Sequence, residues 1–231
     1  MISIFKLTPL IFFCLSAQTI DAMAENGEHA KLVFGEDVAI EVPRNWKFSN
    51  DGIAKLIGSK SGAMIRLGAV QVAEGKDTEI VSANAYTDLK RPSATLLLTA
   101  RHSGRVKTYT QDDMLYIKDL PEHQLKTVFH SPEESLKKAY LAMDGVTEVK
   151  VMQARVDSNT TTICMFTEHE VTTADRLTFV AETWICPDRN RIFKLAMTYN
   201  KAEAKRFKSI VSDIWNSLQI YGVVQPTVLG F

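Results

Sequence analysis

The spacing of hydrophobic residues predicts strands along much of the chain. Within residues 32–42, Val38, Ile40 and Val42 recur at every second position, which is typical of a strand with one buried face. Pro43 ends this strand, because proline has no backbone N–H to donate to a ladder. Shorter runs predict further strands at residues 64–72, 94–100, 114–117, 146–156 and 192–199.

Two internal segments carry helix signals. Residues 77–91 are predicted to form a helix that ends before Pro92. Ser131 is predicted to cap a second helix, because the following Pro132 suits the first helical position. Gly145 ends this second helix.

The last helix has the clearest pattern in the chain. Asn200 is a good N-cap, and apolar residues then return at helical spacing. This stripe predicts a helix face that packs on a sheet, and it comprises Phe207, Ile210, Val211, Ile214, Trp215 and Leu218.

A β-hairpin is predicted in the second half of the chain, from strands at residues 161–171 and 177–186. The turn between them suits a three-residue loop that brings Thr173 opposite Leu177. That register gives three favourable cross-strand pairs, namely Phe166–Trp184, Met165–Ile185 and Val171–Phe179.

The same register places Cys164 opposite Cys186. These are the two cysteines left once an N-terminal signal is removed, and an even number in an exported chain suggests a disulfide. One pair argues against the register, because Glu168 would face Glu182 and like charges repel. We therefore expect a Cys164–Cys186 disulfide, with two buried free thiols as the alternative.

The order of these elements predicts an α+β fold, in which helices flank an antiparallel β-sheet. Residues 25–221 are expected to form a single domain, and residues 222–231 a C-terminal tail. Two lobes joined by residues 118–130 are the alternative.

The opening strand resembles that of PsbP-like proteins, a superfamily that also holds the Mog nuclear import factors and the DcrB-type periplasmic proteins. The resemblance rests on Val38-x-Ile40-x-Val42-Pro43-x-x-Trp46 and on the last strand with its amphipathic helix. It implies a three-layer α/β/α sandwich around an antiparallel sheet. It implies scaffold, binding or assembly roles, and it supplies no shared catalytic residues.

The N-terminus indicates export. Lys6 is followed by a short apolar run and by a small-x-small cleavage site that ends at Ala24, so residues 1–24 are expected to be a signal peptide. The run is about half the roughly 20 residues that span a bilayer, and no second apolar stretch is long enough to cross a membrane. Lys plus Arg and Asp plus Glu both number 27, which argues against nucleic-acid binding. We expect a periplasmic or secreted protein with no membrane span.

Candidate chemistry is sparse. The five histidines do not show zinc-site spacing, and there is no Gly-x-Ser-x-Gly for a serine nucleophile, so no metal, cofactor or catalytic residue is expected. In a strand His169 points away from both Glu168 and Glu170, which argues against a dyad there. Asn159-Thr160-Thr161 is a glycosylation sequon if the source modifies exported chains.

Four cations crowd the start of the last helix, where the helix dipole disfavours them. They form a possible partner-binding patch, and a solvated polar face is the alternative: Lys201, Lys205, Arg206 and Lys208. The first functional hypothesis is an exported non-enzymatic binding or assembly protein of the bacterial cell envelope that acts through protein–protein contacts. The alternative is an exported hydrolase or lyase with a site assembled around His102 or His130.

Overall fold

The computed structural model describes residues 29–34, 38–49, 79–86, 92–102, 110–188 and 191–220. The elements in these ranges are, in chain order, β1 (His29–Phe34), β2 (Val38–Pro43), β3 (Lys47–Ser49), β4 (Glu79–Tyr86), β5 (Pro92–His102), α1 (Gln111–Lys118), α2 (Glu122–Leu141), β6 (Val146–Ser158), β7 (Ile163–Thr173), β8 (Thr178–Asp188), β9 (Arg191–Asn200), a 3₁₀ turn (Lys201–Glu203), α3 (Ala204–Ser217) and β10 (Gln219–Ile220).

The described strands form two antiparallel sheets. The large sheet has the order β3-β4-β5-β9-β8-β7-β6, and the small sheet has the order β1-β2-β10. The small sheet and α3 pack on one face of the large sheet, while α1 and α2 pack on the other face. The predicted α+β class, with helices flanking an antiparallel sheet, is confirmed.

The β7–β8 hairpin has the predicted register. Phe166 pairs with Trp184 and Met165 with Ile185, and a disulfide joins Cys164 to Cys186. The Cα atoms of the two cysteines are 4.4 Å apart, the spacing of a cross-strand pair without hydrogen bonds between the two residues. The sulfur bridge therefore ties β7 to β8 inside the core.

The main core lies between the large sheet and α3. The predicted apolar stripe of α3 faces the sheet, and its Phe207, Val211, Ile214 and Trp215 are buried. Trp46, which belongs to the opening motif, meets the Phe207 ring edge-on at 6.4 Å. The stripe is thus a packing face, as expected.

The opposite face of the large sheet is less uniform. Two apolar clusters hold the helices on it: Met114 of α1 and Phe129 of α2 pack near Met165, and Tyr140 of α2 packs near Phe179. Beside and between these clusters run two buried rows of small, mostly polar side chains, here called the polar rows. They are His169, Ala181, Thr198, Thr95 and Asn84, and beside them Thr167, Thr183, Ala196, Leu97 and Ser82.

Asn159 ties the loop before β7 to the end of α3. Its amide nitrogen donates to the carbonyl oxygens of Trp215 and Leu218 at 3.0 and 2.9 Å. Its amide oxygen accepts from the backbone N–H groups of Thr161 and Thr162 at 2.9 and 3.0 Å. Because both amide hydrogens are used, the sequon asparagine has a structural role in the folded chain.

Two elements differ in type from the prediction. Residues 79–86 of the expected helix form β4, because Ala83 and Ala85 pack into the main core whereas Ser82 and Asn84 are buried on the opposite face of the sheet. Residues 114–117 belong to α1 instead of a strand. Thr110 and Asp113 form a capping box that begins this helix, a signal that outweighs the short apolar run.

Two boundaries also differ. The single strand expected at residues 32–42 is a hairpin of β1 and β2, in which Phe34 pairs with Val38 across residues 35–37. The helix expected to begin at Ser131 begins at Glu122, so α2 also occupies most of the possible inter-lobe connection. Gly145 lies beyond its end, as predicted, with a positive φ of 83°.

Some predictions lie outside the described residues. They are the signal peptide at residues 1–24, the strand at residues 64–72 and the tail at residues 222–231. The boundaries of the single domain at residues 25–221 also remain a prediction.

Candidate functional site

Next to α3, the core face of the large sheet changes from apolar to charged. β8 and β9 contribute Trp184 and Leu195 to the core, whereas the outer strands carry ionised side chains on the same face. We call this surface the charged strip, and it consists of Arg155 on β6, Glu168 and Glu170 on β7, Glu182 on β8, Lys201 in the 3₁₀ turn and Lys208 on α3.

Two carboxylates of the strip are direct cross-strand neighbours. Glu168 pairs with Glu182, and Glu182 is only 7% exposed. Burial, with the charge of Glu168 adding to it, raises the pKa of the Glu182 carboxyl above its usual value. The pair that argued against the register is therefore present, and it gives the strip a buried carboxyl group whose pKa is raised.

Tyr199 supports this carboxyl from β9. Its hydroxyl donates to Oε1 of Glu182 at 2.7 Å, and this hydrogen bond partly offsets the effect of burial on the pKa of Glu182. Burial and the neighbouring Glu182 charge raise the pKa of Tyr199 itself. The tyrosine therefore remains a hydrogen-bond donor at any physiological pH and holds the Glu182 side chain in place.

Cations border the carboxylates on both sides. Nζ of Lys201 lies 2.7 Å from Oε1 of Glu170. Lys208 and Arg155 are close enough for their charges to lower the pKa of Glu182. The strip thus presents alternating signs of charge, which suits electrostatic recognition of a partner more than binding of a simple anion or cation.

Aromatic stacking fixes the geometry of the strip. The rings of Trp184 and Trp215 stack at 5.2 Å with an interplanar angle of 14°, and Phe166 lies 4.8 Å from Trp184. Arg155 covers the Phe166 ring at 4.0 Å and binds Asp157 at 3.2 Å. Asp157 also accepts a 3.0 Å hydrogen bond from Nε1 of Trp184, so β6, β8 and α3 are locked together beside the carboxylates.

The structure places the predicted basic patch at one end of the charged strip. Lys201 and Lys208 belong to the strip itself. Arg206 binds Glu203 at 3.3 Å and lies over the Phe207 ring, and Lys205 is exposed. The four residues therefore do not form one purely positive surface, because acidic partners accompany two of them.

Of the two histidines of the enzymatic alternative, the structure describes the side chain of His130. His130 is exposed on α2, where its charge lowers the pKa of Glu133, a carboxyl whose pKa burial raises overall. His102 ends β5, and its side chain lies outside the described part of the structure. Within the described ranges, no three His, Cys, Asp or Glu side chains cluster closely enough to hold a metal ion.

None of the helices that the structure describes is both long enough and apolar enough to cross a lipid bilayer.

Reasoning from the sequence missed the strip because its members come from five separate elements. A signal was present, since the predicted register already placed Glu168 opposite Glu182. Two facing carboxylates lower the stability of the fold, and this cost was the signal in the sequence that pointed to the strip.

No family model matches the chain, and no curated protein matches it. Among solved structures, cyanobacterial PsbP from Synechocystis is similar with 13% identity, a TM-score of 0.47, and coverage of 86% of this chain and 99% of that one. LpqN of Mycobacterium tuberculosis, described as involved in cell envelope biogenesis, shows 10% identity, a TM-score of 0.42, and coverage of 84% and 90%. The Ran-binding protein Mog1p of Saccharomyces cerevisiae shows 9% identity, a TM-score of 0.38, and coverage of 83% and 95%. PsbP and Mog1p carry the names of the group that the sequence resembles, and the likeness is one of fold only.

Proposed function

We propose that the protein is an exported, non-enzymatic binding or assembly protein of the bacterial cell envelope, and that it contacts a protein partner through the charged strip and the adjoining start of α3. The compartment and the partner class both belong to this proposal. The Cys164–Cys186 disulfide supports export, because such bonds persist in oxidising compartments.

The Glu168–Glu182 pair is the observation that carries the proposal. Facing carboxylates, one of them buried, oppose folding through both repulsion and lost hydration. Groups with perturbed ionisation concentrate at functional sites. A partner that brings a positive side chain to this pair relieves the repulsion, and the cations of the strip can meet acidic groups of the same partner.

The test is photo-crosslinking in the native envelope. A photoreactive residue at Ser212, exposed on α3, should capture a partner protein that the same residue at the exposed Thr127 of α2 does not capture. The variant Lys205→Ala/Arg206→Ala should reduce this capture by roughly fivefold, about 1 kcal/mol of binding, because the adjoining charges steer and orient the partner.

A matched variant controls for loss of charge in general. Lys126→Ala/Lys138→Ala removes two exposed cations from α2, on the opposite side of the large sheet, and should leave capture unchanged. Equal capture by the wild type and by Lys205→Ala/Arg206→Ala would remove the start of α3 from the interface. No capture by either crosslinker position, with the protein folded and oxidised, would refute the protein-binding proposal.

One observation favours the alternative, an exported hydrolase or lyase. His130 and Glu133 lie one turn apart on α2, and the charge of His130 partly offsets the effect of burial on the pKa of the Glu133 carboxyl, as in an acid–base pair. A substrate screen of the mature protein tests it: turnover that His130→Ala abolishes and His123→Ala spares would support the alternative, and a screen without turnover would count against it.

A further inference from the structure

Strand β6 forms one outer edge of the large sheet, and among the described strands only β7 pairs with it. It is 13 residues long, whereas edge strands are often kept short because their unpaired backbone groups can bind another chain. Two β-bulges interrupt its first half, at residues 146–148 and 151–153. Residues 153–158 pair with β7 without interruption, so this stretch offers a regular ladder edge to a further strand.

The pairing with β7 shows which backbone groups of β6 point away from the sheet. Cys164 and Cys186 form a pair without hydrogen bonds between them, so the backbone groups of Cys164 point toward β6 and bond to Asp157. Because this direction alternates along a strand, the N–H and C=O groups of Ala154 and Val156 point outward. In the part of the chain that the structure describes, these outward groups have no hydrogen-bond partner.

The side chains of β6 form a charged row and an apolar row. The charged row lies on the face of the large sheet that carries the charged strip, and it consists of Glu148, Lys150, Gln153, Arg155 and Asp157. The apolar row is half-buried on the face that α1 and α2 cover, and it consists of Val149, Val151, Ala154 and Val156. Met152, the extra residue of the second bulge, is exposed between the two halves of the strand.

The charged row is complementary to itself when two copies of β6 run antiparallel with Ala154 opposite its own copy. Val151 and Met152 share the bulge and occupy one position of the ladder, so Lys150 then lies opposite Asp157 of the second copy. The symmetry repeats this contact, which gives two pairs of opposite charge. Lys150 is exposed and forms no ion pair within the described ranges, so its ammonium group is available to the second copy.

Moving the centre by one residue in either direction removes this complementarity. With Gln153 opposite its own copy, Lys150 would face Arg155 and Glu148 would face Asp157, so every charged pair would be repulsive. With Arg155 opposite its own copy, two guanidinium groups would meet at the centre. Charges on an edge strand normally oppose further pairing, whereas this arrangement of charges permits pairing centred at Ala154.

We propose that β6 is a self-association surface, on which a second copy of this chain pairs antiparallel through residues 149–158 and extends the large sheet across a two-fold axis at Ala154. The outward backbone groups form the ladder, and Lys150 pairs with Asp157 of the second copy. The axis is perpendicular to the sheet, so the charged strips of both copies lie on one face and adjoin at Arg155. This dimer does not depend on the proposed function, because it needs no envelope partner.

The first test is the mass of the oxidised mature chain, measured by sedimentation velocity from about 1 to 200 µM. We expect a concentration-dependent shift from monomer to dimer. Lys150→Glu should weaken the dimer by about tenfold, because both symmetric charge pairs become repulsive. Lys31→Glu makes the same change of charge at an exposed position of β1, and it should dimerise as the wild type does.

Two further variants locate the axis. Ala154→Pro removes an outward N–H that β7 does not use, so it should abolish the dimer and leave the circular dichroism of the monomer unchanged. The Cα atoms of residue 154 in the two copies would lie about 5.5 Å apart, which suits a disulfide, so Ala154→Cys should form a covalent dimer on mild oxidation. Thr147→Cys, exposed on the same strand but far from the axis, should not.

Each contrary result overturns the proposal. A chain that stays monomeric at every concentration would refute self-association, and a photoreactive residue at position 154 that links this monomer to another protein would assign the edge to a different partner. A dimer that neither Lys150→Glu nor Ala154→Pro weakens would lie on another surface. Equal covalent dimerisation of Ala154→Cys and Thr147→Cys would refute the register. If Ala154→Pro fails to fold, Lys150→Glu decides, and failure of partner capture at Ser212 would leave the dimer result intact.

Discussion

Glu168 and His169 are neighbours on β7 and lie on opposite faces of the large sheet. Glu168 faces α3 and repels the buried carboxyl of Glu182, whose pKa is raised mainly by burial. His169 faces α2, and burial lowers the pKa of its imidazole to about 4. Strand alternation thus places an acidic pair on one face of the sheet and a neutral imidazole on the other face, one residue apart along β7.

The low pKa of His169 predicts a loss of stability in acid. Between pH 6.5 and about 4 the unfolded chain binds a proton at this residue and the folded chain does not, so the free energy of unfolding falls as pH falls through that window. The variant His169→Gln lacks this contribution, which amounts to about 3 kcal/mol at most. Urea unfolding at several pH values should show a flatter pH dependence for the variant.

Other groups titrate in the same pH window, so the measurement compares the pH dependence of the wild type with that of His169→Gln. Glu133 and Glu182 have raised pKa values, and they change stability in the opposite direction in the wild type and in His169→Gln alike. Exposed His123 offers a control, and His123→Gln should follow the wild-type curve. Identical slopes for wild type and His169→Gln would show that His169 binds its proton equally well in the folded and the unfolded chain.

At the scale of the element, the β7–β8 hairpin could be predicted residue by residue. Alternation on both faces and a three-residue turn admit one register, and Arg176 takes the positive φ of 63° that such a turn requires at its end. β4 could not be predicted in the same way. Its Ala83 and Ala85 are good helix formers, and only pairing with β5 makes them strand residues.

Asn159 shows how one side chain holds an element in place. The variant Asn159→Ala removes the two hydrogen bonds to the carbonyls of Trp215 and Leu218 and the two from the N–H groups of the following threonines. The hydroxyl of Thr161 still donates to the Leu218 carbonyl, and the N–H of Leu218 still donates to the Trp215 carbonyl. We expect it to lower the free energy of unfolding by about 2–3 kcal/mol, measured by urea denaturation.

The control for Asn159 lies on α3 itself. Asn216 is exposed and makes one long hydrogen bond, of 3.5 Å, to Ser212, so Asn216→Ala should change stability by less than about 0.5 kcal/mol. Equal stability of the two alanine variants would mean that solvent replaces the hydrogen bonds of Asn159 without loss.

At the scale of the whole molecule, the charged strip and the polar rows each combine residues that only the tertiary fold brings together. The charged strip joins β6, β7, β8, the 3₁₀ turn and α3, and the polar rows cross five strands that are far apart in the chain. The composition showed balanced charge but not where opposite charges meet. The alternation of β7 did show that His169 turns away from its acidic neighbours, and this was correct, but the burial of its ring depends on α2.

The disulfide links the fold of the whole molecule to its compartment. Cys164 and Cys186 are 22 residues apart, and in the chain-entropy model a loop of this size contributes about 3 kcal/mol by restricting the unfolded chain. Cys164→Ala/Cys186→Ala should therefore unfold at a clearly lower urea concentration than the oxidised wild type. Cys164→Ala alone should lose a similar amount, because one substitution already removes the covalent link, whereas additive losses would point to packing of the sulfur atoms as the cause. A wild type that unfolds identically with and without reductant would show that the fold does not depend on an oxidising compartment, and the disulfide would then not support export.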